Sequence, residues 1–152
     1  MAVTLAFYHG WGGGPRDKLI DATIRAATLS QYSHVELIPY AATAGGQHIA
    51  YSSSPRDGGV RARRINFRAT HWDMIQIDAD PAQVVAVIER RMGQGYDVLG
   101  ACLSPLRLPW RLVGYDLSFC SEIVAEALDW PDPWRWSPAR MARHLSKMGV
   151  PR

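Results

Sequence analysis

A chain of 152 residues can bury a core of its own, and 47% apolar with 20% charged residues is the make-up of an ordinary globular protein over residues 1–152 as one domain. The formal charge of +3 suits an anionic partner such as a cell-wall polymer, nucleic acid or a membrane surface without choosing among them. No run reaches transmembrane length, and the N-terminal apolar run has no basic lead and is too short for a signal peptide, so synthesis in the cytoplasm is expected.

Residues 3–8 read as a short buried strand. The glycines at 12–14 suggest a phosphate cradle. They lack the Gly-Lys-Ser/Thr ending of a P-loop and the dinucleotide spacing, so they read as a turn, or as the lip of a cleft. A helix follows over 17–29, with Leu19, Ile20, Ile24 and Ala27 on its apolar side. Residues 33–38 alternate as a strand: His34, Glu36 and Ile38 face one way, Val35 and Leu37 the other. After a loop at 39–46, residues 48–52 form its hairpin partner, and the face with His48, Ala50 and Ser52 continues the face of His34.

A turn cluster from Ser52 to Gly59 leads to a strand at 60–65 that carries Arg61, Arg63 and Arg64, and another short strand occupies 74–77. Asp80 and Pro81 open a helix with Val84, Val85, Ile88 and Met92 as its buried stripe and Gly93 as its C-terminal cap. Residues 96–102 read as one or two helical turns, and 103–115 as irregular chain with Pro105, Pro109 and Trp110. Ser118 or Phe119 then caps a helix with Ile123, Val124, Ala127 and Leu128 on one face. A loop at 129–136 holds three tryptophans, and Ser137-Pro138 starts a last helix through Met141 and Leu145.

Cys120 falls in the first turn of its helix, where unsatisfied N–H groups and the positive end of the helix dipole favour the thiolate, the nucleophilic form of cysteine. Cys102 lies in an apolar stretch. Two cysteines make no disulfide scaffold, and a reduced setting is the simpler one. The competing reading of Cys120 is a small core residue. A cysteine nucleophile needs a base and a polar group to orient that base. Of the five histidines, His34 is the best placed, inside a strand and on a face with other polar residues.

The order of a helix, a strand with Ser33-His34-Val35-Glu36-Leu37, a second strand ending in small polar residues, Tyr96-Asp97-Val98-Leu99-Gly100, then Phe119-Cys120-Ser121-Glu122, then Ser137-Pro138-Ala139-Arg140, resembles a known family. It is similar to the circularly permuted branch of the papain-like NlpC-type cysteine hydrolases, an arrangement shared by the lecithin–retinol acyltransferase-like enzymes. The segment from Ser52 to Arg61 is also similar to small phage-encoded members. The resemblance implies an α+β, papain-like fold, with a small antiparallel sheet packed against the nucleophile helix. It implies Cys120 as nucleophile and His34 as general base. It puts the third polar residue on the strand after the histidine strand, where relatives often carry glutamate or histidine. Here Ser52 lies on the expected face, Tyr51 is the alternative if the register slips by one, and Glu36 is close but poorly aimed at the same ring.

The expected activity is amide hydrolysis in a peptide, with bacterial cell-wall peptide as the leading substrate, no cofactor, and nucleic acid unfavoured as a partner. An acyltransferase or lipid amidase with the same pair is the alternative enzyme, and a virion-associated binding protein keeping only the fold is the alternative outside enzymes. Arg56 and Tyr96 are the candidate substrate-binding residues. Arg56, Arg61, Arg63, Arg64 and Arg68 can bind phosphates or carboxylates, or simply protect a solvated sheet edge. Trp130, Trp134 and Trp136 fit a structural plug better than a sugar-stacking lip. His34, Glu36 and His48 have no recognised zinc spacing.

Overall fold

A computed structural model of the chain describes residues 1–11, 13–106 and 116–150. The expected loop with Pro109 and Trp110 and the first glycine of the 12–14 turn lie outside these residues. The α+β expectation holds, but the sheet is larger than expected. Seven strands run in the order β5-β1-β2-β3-β4-β6-β7. They are β1 (Ala2–Tyr8), β2 (His34–Ile38), β3 (Gln47–Ser54), β4 (Gly59–Asn66), β5 (Trp72–Asp78), β6 (Gly95–Tyr96) and β7 (Leu117–Ser118). All neighbours are antiparallel except β6 and β7. The last two strands have two residues each, too short to leave a period in the sequence. The expected β2–β3 hairpin pairing is present, with Leu37 opposite Tyr51.

Five helices complete the described chain: α1 (Pro15–Thr28), α2 (Pro81–Glu89), α3 (Val98–Leu103), α4 (Cys120–Ala127) and α5 (Pro138–Lys147). Their starts follow the local chemistry. The Asp80 carboxylate accepts from the Ala82 N–H, Asp97 from the Gly100 N–H, and the Ser137 hydroxyl from the Arg140 N–H. Proline occupies the first turn of α1, α2 and α5. Gly59 is a position only glycine can fill: its φ is +146°, and a Cβ there would lie 1.8 Å from the Gln94 carbonyl oxygen. That contact brings β6 against β4.

The main core lies on one face of the sheet. Val3, Leu5 and Phe7 of β1 and Val35 and Leu37 of β2 pack there against Val84 and Ile88 of α2, Cys120, Ile123 and Val124 of α4, and Met141 and Leu145 of α5. The other face carries a smaller cluster of Ala6, Ile38, Ala42, Ala50 and Phe67. Two apolar stripes differ from expectation. On α1 the buried residues are Asp21, Ile24 and Thr28, while Leu19 is 68% exposed and Ala27 is exposed too. The inward side of α1 faces a polar cavity, which is why it buries an aspartate. In the stripe of α2, Val84 and Ile88 are buried and Val85 half-buried, but Met92 lies past the end of the helix and is 41% exposed.

Trp130, Trp136 and His144 form one aromatic cluster, with Trp130 and Trp136 centroids 4.6 Å apart. The Trp136 ring N–H donates to the Pro131 carbonyl. These two tryptophans fasten the 129–136 loop to the main core.

Candidate active site

Cys120 is the first residue of α4, and Phe119 is its N-cap. The Glu122 carboxylate accepts from the Phe119 N–H, which fixes the entry into the helix. Phe119 packs under α1 and α3 with Ile24 and Ala101. Every residue of α4 except Glu126 is buried, so the helix cannot roll without breaking the core.

His34 is the first residue of β2, so its ring stands at the end of the strand, where the first turn of α4 can meet it. The ring is close enough to Cys120 and to Glu36 for both to raise its pKa. Its Nε2 lies 2.7 Å from Oε1 of Glu36.

Two serines at the end of β3 hold these parts in place. The Ser52 hydroxyl donates to the Val35 carbonyl at 2.7 Å, joining β3 to the histidine strand. The Ser53 hydroxyl donates to the Ser118 carbonyl at 2.7 Å, joining β3 to the segment that enters α4. Ser54 lines the cavity described below. The expectation that Ser52 orients His34 is therefore corrected. Its hydroxyl is spent on a neighbouring strand, and Tyr51 lies on the opposite face, packed against the main core. The ring is oriented by Glu36.

Glu36 is 1% exposed and charged because Arg61 meets it with a two-pronged fork. Nη1 donates to Oε2 at 2.7 Å and Nη2 to Oε1 at 2.6 Å. Burial alone would raise this carboxyl, but the Arg61 hydrogen bonds and charge, with His34 beside it, bring it down to about 2. Burial likewise disfavours the imidazolium of His34, which is 16% exposed. The Cys120 sulfur and the Glu36 carboxylate outweigh that and raise the ring to about 9. Burial lowers Arg61, and its bonds to Glu36 and Asp57 more than reverse this, raising it above its ordinary value.

A cavity of about 310 Å³ opens beside His34. Its wall includes Tyr8, Trp72 and Tyr96, the isoleucines Ile20, Ile24 and Ile65, and the charged side chains of Asp17, Asp21, Asp57, Arg56, Arg63 and Arg64. Both residues expected to bind substrate, Arg56 and Tyr96, are in this wall. Arg56 crosses from the β3–β4 turn to α1, 3.1 Å from Asp17 and 3.6 Å from Asp21. Tyr96 keeps its proton. Burial first, then the nearby Cys120, Cys102 and Asp97, push its phenol well above the usual tyrosine range. Cys120 is 1% exposed.

The arginines of β4 divide. Arg61 is internal and serves Glu36, Arg63 pairs with Asp57 at 2.7 Å, and Arg64 is exposed in the cavity wall. His48 lies apart from the site, against Phe67 and Tyr40. Among the described residues no cluster of His, Cys, Asp and Glu has the makings of a metal site. No helix of the described chain is long and apolar enough to cross a membrane.

The Glu36–Arg61 bond escaped the reading of the sequence. One signal was present: a glutamate on the face of a buried strand needs a cation, and β4 supplies three arginines. No protein-family model matches the chain, and no curated protein matches it.

Proposed function

We propose that the chain is a papain-like thiol hydrolase of the circularly permuted type, cutting an amide bond, with bacterial cell-wall peptide as its leading substrate. One observation carries the reading: in the wall of a cavity, His34 lies 2.7 Å from an ionised glutamate and close enough to the cysteine that opens α4 for that sulfur to raise its pKa. The order of the chain supports it too, with the histidine strand before the cysteine helix.

The chemistry runs in two halves. The Cys120 sulfur attacks the carbonyl carbon, and first-turn amides of α4, which have no acceptor within the helix, stabilise the oxyanion. The C–N bond breaks as His34 gives its proton to the departing amine. Water then attacks the thioester, His34 takes the proton from that water, and the sulfur leaves as the acid product forms. Glu36 keeps the ring turned toward the sulfur and favours its protonated form.

The charged wall favours a peptide over a lipid. Asp17, Asp21, Asp57, Arg56, Arg63 and Arg64 would have to be desolvated against an acyl chain, at a cost that a polar, charged peptide avoids. The test is release of new amino groups from cell-wall stem peptides, run beside long-chain acyl amides and esters, with wild type and Cys120→Ala. Peptide cleavage that disappears in Cys120→Ala is the expected result. Cleavage confined to the acyl lipids would overturn the substrate class, and activity retained in Cys120→Ala would overturn the mechanism.

A further inference from the structure

Two oxygens of Glu36 meet three donors. Oε1 takes His34 Nε2 and Arg61 Nη2, and Oε2 takes Arg61 Nη1. The third edge of the guanidinium is fixed as well, since Arg61 Nε donates to Asp57 at 2.8 Å, and Asp57 in turn is held by Arg63. Arg61 is 15% exposed. It reaches Glu36 across an intervening strand: Arg61 faces Ser52 in the β3–β4 register, and the Ser52 hydroxyl is turned to β2. A small residue at 52 leaves the long arginine a path over β3.

We propose that Arg61 is a positioning residue for this site: its guanidinium fork fixes Glu36, and through Glu36 it fixes the His34 ring against Cys120. The proposal rests on the reading of Cys120 and His34 as nucleophile and base. A carboxylate with a single partner can rotate about its last torsion, and the imidazole follows it. With both oxygens taken by a planar fork, that rotation is blocked, and the ring inherits one orientation. Lysine offers a point charge without the fork, so it cannot replace this function in full.

The experiment measures the rate of Cys120 alkylation by iodoacetamide at neutral pH in the whole chain, with circular dichroism confirming that each variant is folded. The variants are Arg61→Met, Glu36→Gln, the two combined, Arg61→Lys alone and with Glu36→Gln, and His34→Ala. Arg61→Met and Glu36→Gln should each slow alkylation by about tenfold, and the combined variant should fall within about twofold of Glu36→Gln alone, because both act through one contact. Arg61→Lys should recover part of the rate. If Arg61→Met fails to fold, the lysine variants give the same comparison, and Arg61→Lys should add nothing in the Glu36→Gln background. Losses that multiply in the combined variant, a full rescue by lysine, or an unchanged rate in Arg61→Met would each overturn the proposal. An unchanged rate in His34→Ala would instead overturn the Cys120–His34 reading beneath it. Slowing in His34→Ala with none in Arg61→Met would overturn the role of Arg61 alone.

Discussion

His34 and Glu36 lie two residues apart on one strand face, and Nε2 of the first stands 2.7 Å from Oε1 of the second. Side chains at this spacing leave the backbone about 7 Å apart and roughly parallel. A glutamate is long enough to lean along the strand and close the gap. An aspartate would fall short, and the hydroxyl of Ser52, although on the same face, is bonded to the backbone of β2 instead.

Substitutions at the two positions should therefore separate. Glu36→Gln removes the charge that supports the imidazolium and should lower turnover by about ten- to a hundredfold, equivalent to ~1.4–3 kcal/mol. Ser52→Ala should leave turnover within about threefold while costing roughly 1 kcal/mol of stability for the lost buried hydrogen bond. Turnover of each variant on one substrate, with urea denaturation of the same samples, makes the comparison. A larger turnover loss in Ser52→Ala would restore the serine as the orienting group.

The pH dependence follows from the directions of the shifts. His34 is raised from 6.5 to about 9, so its contribution to stability is complete below 6.5 and is lost as pH rises through about 9. Glu36 is lowered from 4.5 to about 2, so its contribution is complete above 4.5 and is lost as pH falls through about 2. The melting temperature should peak between 4.5 and 6.5 so far as these two groups decide it. Turnover should fall as pH rises through about 9, when the leaving amine loses its proton donor. Glu36→Gln, which removes the carboxylate charge beside the ring, should move that alkaline limb to lower pH. A rate profile whose alkaline limb does not move in this variant would separate Glu36 from the ring.

Breaking the buried pair from the other side should show in stability. Arg61→Met leaves Glu36 buried with His34 as its remaining side-chain partner, at a cost of about 3 kcal/mol in urea denaturation. Adding Glu36→Gln should return part of that loss, since the stranded charge is gone. Two losses that simply add would mean that Glu36 and Arg61 do not share one interaction.

Much of the framework was legible in the chain. The periodicity of β1, β2, α4 and α5 and the caps at Asp80 and Ser137 depend on neighbours in sequence, and these came through. The parity of β2 correctly put His34 and Glu36 together on one face and Leu37 on the core side. The partner of Glu36 was not legible. It depends on the registers of β2, β3 and β4 together, and on a serine small enough for an arginine to pass. Ser52 misled for a related reason. A hydroxyl beside a histidine strand suits catalysis or strand pairing equally well by sequence, and here the strand carbonyl of Val35 claims it. The α1 stripe failed because apolar periodicity assumes an apolar neighbour, whereas α1 faces a cavity with charged walls.

Cys120 and His34 acting as a unit also predicts the behaviour of their single and combined variants. Cys120→Ala and His34→Ala should each reduce hydrolysis to background, and the two together should be no worse than either alone. Turnover in His34→Ala within about tenfold of wild type would remove the histidine from the mechanism.

The most direct test is limited iodoacetamide labelling of the folded chain at neutral pH, read by mass spectrometry at both cysteines. Cys102 is the more exposed of the two, but burial and the nearby Asp97 raise its thiol. Cys120 is hidden but lies beside the His34 ring, whose pKa is raised to about 9. The expected result is labelling of Cys120 ahead of Cys102, with that preference lost in His34→Ala. Labelling of Cys102 first, or a Cys120 preference that survives in His34→Ala, would contradict a nucleophile activated by His34.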